Sequence, residues 1–142
     1  MSGQPLASTR CCFAYMPLKI AIPERWATEA EPLSIRCGQN EIQIFCDDAD
    51  ESSIPKPEHL EDIASGFGVE QLYGEVVDSS SAICTFGRMG TAIFHSHEFP
   101  RVQVWLLTNS RSLIWVIHIC REEPSEVELS EARVLIHTLS AV

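Results

Sequence analysis

"SLIWVIHIC", from Ser112 to Cys120, is apolar at nearly every position, and that continuity restricts the fold more than any other stretch of the chain. A strand with one wet face alternates apolar and polar residues, because successive side chains point to opposite sides. A strand apolar on both sides must lie within a sheet that is covered on both faces. Burying one large apolar side chain contributes about 1.5–3 kcal/mol, so no other segment can add more stability. The residues before it supply the sheet. "LYGEVV", "SAICTFG", "TAIFHSHEF" and "VQVWLLT" read as successive strands between Gln71 and Thr108, parted by short polar or Gly/Pro turns. Turns that short join antiparallel neighbours.

Upstream, "LKIAIP" (Leu18 to Pro23) reads as a strand stopped by proline, and "ERWATEA" as one short helical turn. "LSIRC" and "EIQIFC" flank "GQN", a hairpin in which Gly38 can take a positive φ. In "PEHLEDIASGFG", Pro57 suits a first helical turn, and Glu58, Glu61 and Asp62 complement the helix dipole. Leu60, Ile63, Ala64 and Phe67 form its apolar stripe. Near the end, Ser125 and Glu128 have capping-box spacing, and Leu129, Ala132, Leu135, Ile136 and Leu139 share one helical face. The expected fold is α+β: an antiparallel sheet of about six or seven strands, with one helix near residues 57–66 and a C-terminal helix near 125–140 packed on it. A chain of 142 residues suits one domain, expected over 16–142, after a flexible lead-in of small and polar residues over 1–15.

Composition narrows the function classes. Ten Lys plus Arg against twenty Asp plus Glu give a formal charge of −10, which repels phosphate backbones and anionic lipid. Neither nucleic acid nor membrane is an expected partner. The apolar part of the N-terminus is short and interrupted by Pro17, Lys19 and Pro23, unlike a signal peptide, so a cytoplasmic location is expected. Six cysteines include no C-x-x-C pair and are read as reduced thiols.

Two stretches carry a family likeness. "IAIPERW" (Ile20 to Trp26) ends a strand in Pro23 with Trp26 shortly after, and "EARVLIHTLS" (Glu131 to Ser140) has the pattern of a closing helix. With the element order between them, the chain from Met16 to Ser140 resembles the PsbP-like superfamily. The resemblance implies an antiparallel sheet sandwiched by helices. It does not imply one activity: the superfamily includes an extrinsic photosystem II subunit, a Ran-binding nuclear factor, DcrB-like proteins and secreted-effector chaperones, and most characterised members bind other proteins.

The candidate sites are few. His95 and His97, one residue apart in a strand, would face the same way, as sheet-borne metal ligands do. The expected neighbouring strands offer no third ligand, so a polar strand end is the competing reading and no metal or other cofactor is expected. "DDADES" places Asp48, Asp50 and Ser52 at the first ligand positions of a calcium loop, but Ser53 and His59 stand where glycine and glutamate belong. Cys120 and His118 share one strand face among apolar neighbours that keep a thiol protonated. Between Glu41 and Asp62, the acids Asp47, Asp48, Asp50, Glu51, Glu58, Glu61 and Asp62 face Lys56 alone among the cations. They serve either solubility or the docking of a basic partner. Trp26 belongs either to that surface or to the core. The expectation is a non-catalytic protein-binding module, chaperone or adaptor, for a partner with a basic surface, with homodimer formation compatible. The alternative is a small hydrolytic or metal-binding enzyme using the His95–His97 strand end.

Overall fold

The structure is a computed structural model that describes residues 7–13, 16–22, 26–29, 33–47, 54–109 and 112–141. In chain order the strands are β1 (Ala7–Phe13), β2 (Met16–Ile22), β3 (Ala27–Glu29), β4 (Leu33–Cys37) and β5 (Asn40–Asp47). A 3-10 turn, Pro57–His59, leads into α1 (Leu60–Glu70). Then come β6 (Glu75–Ile83), β7 (Arg88–His95), β8 (Arg101–Thr108), β9 (Leu113–Cys120), α2 (Glu126–Thr138) and β10 (Ser140–Ala141). The chain is α+β. Seven strands form one antiparallel sheet in the order β3-β4-β5-β9-β8-β7-β6, and β1-β2-β10 form a second, smaller one.

The continuous apolar run occupies an interior position. β9 pairs with β5 on one side and β8 on the other, and Trp115 alone of its eight residues is not buried. One face of the large sheet presents Ile42, Ile44, Trp105, Leu107, Ile114 and Val116 to Ala132, Leu135, Ile136 and Leu139, with Ile20 and Ile22 of β2 in the same cluster. The other face sets Phe94, Val102, Val104, Leu106 and Ile117 against Leu60 and Ala64 of α1. The helix approaches so closely because β7 carries Gly90. A Cβ there would overlap the backbone of Leu60 and Glu61.

Local signals act as expected at several points. Gly38 turns the β4–β5 hairpin at φ 62. Ser125 caps α2, its Oγ accepting from the backbone N–H of Glu128 at 3.0 Å. Four expectations change. The lead-in expected over residues 1–15 contains β1, which pairs along its length with β2. "ERWATEA" supplies strand β3 rather than a helical turn, because Ala27–Glu29 extend against Ser34–Arg36. "LYGEVV" and "SAICTFG" merge into the single strand β6, with a bulge between Val76 and Asp78. "TAIFHSHEF" stops at His95, where Ser96 N–H turns back to Phe99 O at 3.0 Å.

Candidate functional site

The register of β8 and β9 places His118 opposite Gln103 and Cys120 opposite Arg101, a polar strip on the α2 side of the sheet. Asn40, at the start of β5, joins it. Glu128, in the first turn of α2, reaches down: its carboxylate accepts from Asn40 Nδ2 at 2.9 Å and lies 2.8 Å from His118 Nε2. A carboxylate can only accept here, so Nε2 carries the proton. Cys120 Sγ stands 3.5 Å from the same nitrogen. Asn40 Oδ1 accepts from the backbone N–H groups of Arg121 and Glu122 at 2.8 and 3.1 Å, tying the turn after β9 to the network. His118 is 1% exposed, and Trp26 lies beside it with ring centroids 6.3 Å apart.

This burial sets the chemistry. It holds the His118 imidazole below its ordinary pKa, although the Glu128 carboxylate pulls the other way. It also pushes the Cys120 thiol up to about 12, with the Glu128 charge adding to the effect. A nucleophilic triad needs one imidazole nitrogen on the nucleophile and the other on the carboxylate. Here Cys120 and Glu128 share Nε2, while Nδ1 is buried without a partner. The arrangement is a closed structural network with an inert thiol. His118, Cys120 and Glu128 offer donor atoms within 4.8 Å of one another, and their types suit zinc. An ion there would have to displace the Nε2 proton and that of a thiol at about 12.

Glu41, on the opposite face of β5, forms a separate pair of contacts. It accepts from Ser34 Oγ at 2.9 Å and Arg121 Nη1 at 3.0 Å. Burial would raise its pKa, but the hydrogen bonds from Ser34, Arg121 and Gln43 outweigh burial and lower it.

Two cavities flank the sheet. One, of about 250 Å³, lies between α2 and strands β6 to β9, lined by Arg101, Gln103, Trp105, His118, Arg133 and His137 among others. A larger one, of about 520 Å³, opens at the opposite end of β7 and β8 beside Lys56, Phe86, Arg88 and Thr108, away from the His118 network.

The structure separates the histidine pair between a strand and a turn. His95 is the last residue of β7, exposed, with Nδ1 2.9 Å from Pro100 O, and His97 lies in the following turn. Among the described residues, neither belongs to a group of three side chains able to share an ion. Of the acidic candidates, Glu58 and Asp62 are exposed, and Glu61 accepts from Ser79 and Ser81 hydroxyls at 2.7 and 3.0 Å. Asp47 ends β5, while Asp48, Asp50 and Glu51 lie outside the described residues. Trp26 is corrected from surface candidate to core residue: it is 4% exposed, and its indole N–H donates to Glu131 at 3.2 Å. Asn40, Arg101, Gln103 and Glu128 were missed. The one signal for Glu128 was its capping position, which points to a helix start and not to a buried network.

The α1–β6 edge is unlike the rest of the surface. Leu72 is 82% exposed and takes φ 62, with Val69 and Val77 exposed beside it in the sequence. Its N–H bonds Val69 O and the Tyr73 N–H bonds Gly68 O, the paired closure in which glycine ordinarily holds the left-handed position. β6 ends the sheet, and no described strand pairs with its outer side.

No family model and no curated protein sequence matches the chain. Solved structures do. The solution structure of cyanobacterial PsbP (CyanoP) from Synechocystis sp. PCC 6803 superposes with a TM-score of 0.65 at 11% identity, over 100% of this chain and 97% of that one. The chain has a PsbP-like fold. The crystal structure of LpqN from Mycobacterium tuberculosis, a protein involved in cell envelope biogenesis, gives a TM-score of 0.56 at 13% identity, over 99% and 87% of the two chains. At such identities the likeness concerns the PsbP-like fold alone.

Proposed function

We propose that this PsbP-like chain is a non-catalytic protein-binding module, an adaptor or chaperone, whose docking face is the α1–β6 edge and whose partner is basic. The observation that carries the reading is Leu72: an exposed leucine held in a backbone conformation that disfavours it. Selection for stability alone would favour glycine or a polar residue there. The surrounding charge supports a basic partner. From Pro57 to Ile83 the chain holds Glu58, Glu61, Asp62, Glu70, Glu75 and Asp78, and no lysine or arginine. A basic segment would be drawn toward these acids and would extend along the side of β6 that no described strand pairs with, with Leu72, Val76 and Val77 as apolar anchors. The inert Cys120 thiol and the closed His118 network support a non-catalytic role.

The test is affinity capture with the full chain, read by mass spectrometry, comparing the native sequence with Leu72→Gly and with a triple Glu58→Lys, Asp62→Lys, Glu75→Lys variant. One dominant basic protein should be retained by the native chain and lost by both variants. An unchanged set of captured proteins overturns the proposal. So does a concentration-dependent dimer disrupted by the same substitutions, which would assign the edge to self-association.

A further inference from the structure

The cavity under α2 has a composition at odds with the chain around it. Two arginines, Arg101 and Arg133, line it in a protein with twice as many acids as bases. Arg101 on β8 and Arg133 on α2 approach the cavity from opposite walls, and the charges of Glu123 and Asp78 also act on Arg101. Among the described residues, neither has a carboxylate within ion-pair distance; the pairs found there are His118–Glu128 and Arg121–Glu41. Arg101 places one Nη2–H on Gln103 Oε1 at 2.7 Å, and its Nε is buried without a partner. His118, also lining the cavity, has its buried Nδ1 unpartnered.

Such an inventory is costly unless something completes it. A polar nitrogen buried without a partner has given up its water without a replacement. Arg101, Gln103, His118 and Arg133 all line a space of about 250 Å³ whose other walls include Trp105 and Leu129. Small-ligand sites combine an apolar wall with a few converging polar groups, at volumes of roughly 300–1,000 Å³. This cavity sits just below that range, so its ligand is small.

We propose that the cavity binds a small organic oxyanion, a carboxylate or phosphate, between the guanidinium groups of Arg101 and Arg133. Arginine's planar fork fits both groups. The site stands on the opposite face of the sheet from α1, although β6 contributes Ser80 and Ala82 to its wall.

Titration of the isotope-labelled full chain, followed by two-dimensional NMR, tests this with three probes: lactate, glycerol 3-phosphate and neutral glycerol, each at millimolar concentration. A response at Arg101, Gln103 and His118 to either anion, but not to glycerol, is the expected result, and which anion acts identifies the group. Arg133→Gln should weaken that response about tenfold or more, as loss of one charged hydrogen-bond donor set implies. Arg133 is exposed, so the variant should remain folded; an unchanged urea midpoint checks this. Arg101→Gln should abolish the response. No response at these residues to either anion, or one that persists undiminished in Arg133→Gln, overturns the proposal.

Discussion

Replacing Leu72 by glycine should make the protein more stable and less able to bind. The left-handed position at the end of α1 (φ 62) costs an L side chain roughly 1–2 kcal/mol and costs glycine nothing. The side chain is 82% exposed, so little core contact is lost. Glycine's extra freedom in the unfolded chain takes back about 0.5–1 kcal/mol. The net gain is about 0.5–1 kcal/mol, a rise in Tm of about 1–4 °C for a chain of this size. Urea unfolding should show a higher midpoint at an unchanged slope. Leu72→Ala is the control: it removes the exposed side chain but retains the backbone strain, and should gain nothing. A lower midpoint for the glycine variant would mean that the backbone at 72 is unstrained. The argument that strain is kept there for recognition would then fail.

Asn40→Ala should destabilise by about 2–4 kcal/mol in the same assay, since it removes a donor to the Glu128 carboxylate and the acceptor for two backbone N–H groups. Asn40→Asp, equal in shape, should lose at least as much at neutral pH by setting a second carboxylate against Glu128. Gly90→Ala should cost about 1–3 kcal/mol or more by forcing α1 off β7, whereas Gly66→Ala, where a Cβ meets open space within the same helix, should gain about 0.5–1 kcal/mol; equal effects would contradict the close helix approach. Stability should fall with acidification in two stages. His118 has a lowered folded pKa, so below about 6.5 the unfolded chain binds the extra proton, and stability declines by up to about 1.4 kcal/mol per pH unit until the folded value is passed. Glu41, also lowered, adds a second loss as pH falls below its ordinary 4.5. Urea midpoints measured from pH 7.5 down to pH 4 check this, and a flat profile between 7.5 and 5.5 would refute the first stage.

The fold was legible where the sequence repeats one physical requirement many times. The unbroken apolar run of β9 demanded cover on both faces, and α1 and α2 provide it. Ser125 announced the start of α2, and Pro57 the turn that opens α1. The site was less legible because it depends on register. Nothing local to Arg101 or Gln103 says that they oppose Cys120 and His118, and nothing local to Asn40 reveals a carboxylate 88 positions away at 2.9 Å. The extent of the strand around the histidine pair was hard to read for a related reason. Spacing predicts a shared face only while the strand continues, and β7 ends at His95. Trp26 read equally as core or surface because an indole on a short strand shows its burial only once another element covers it.

The pairing of β10 with β2 sets a timetable for folding. Strands β6 to β9 and α1 can settle among near neighbours as they are made, and β2 pairs early with β1, but the other edge of β2 waits for Ser140 and Ala141. Until then Ile20 and Ile22, together with the inner row of β5 and β9, remain without their helical cover. A nascent chain stalled before Glu126 is therefore a finished half-sandwich with one bare greasy side, and it is at that stage that the polypeptide most needs protection from its neighbours.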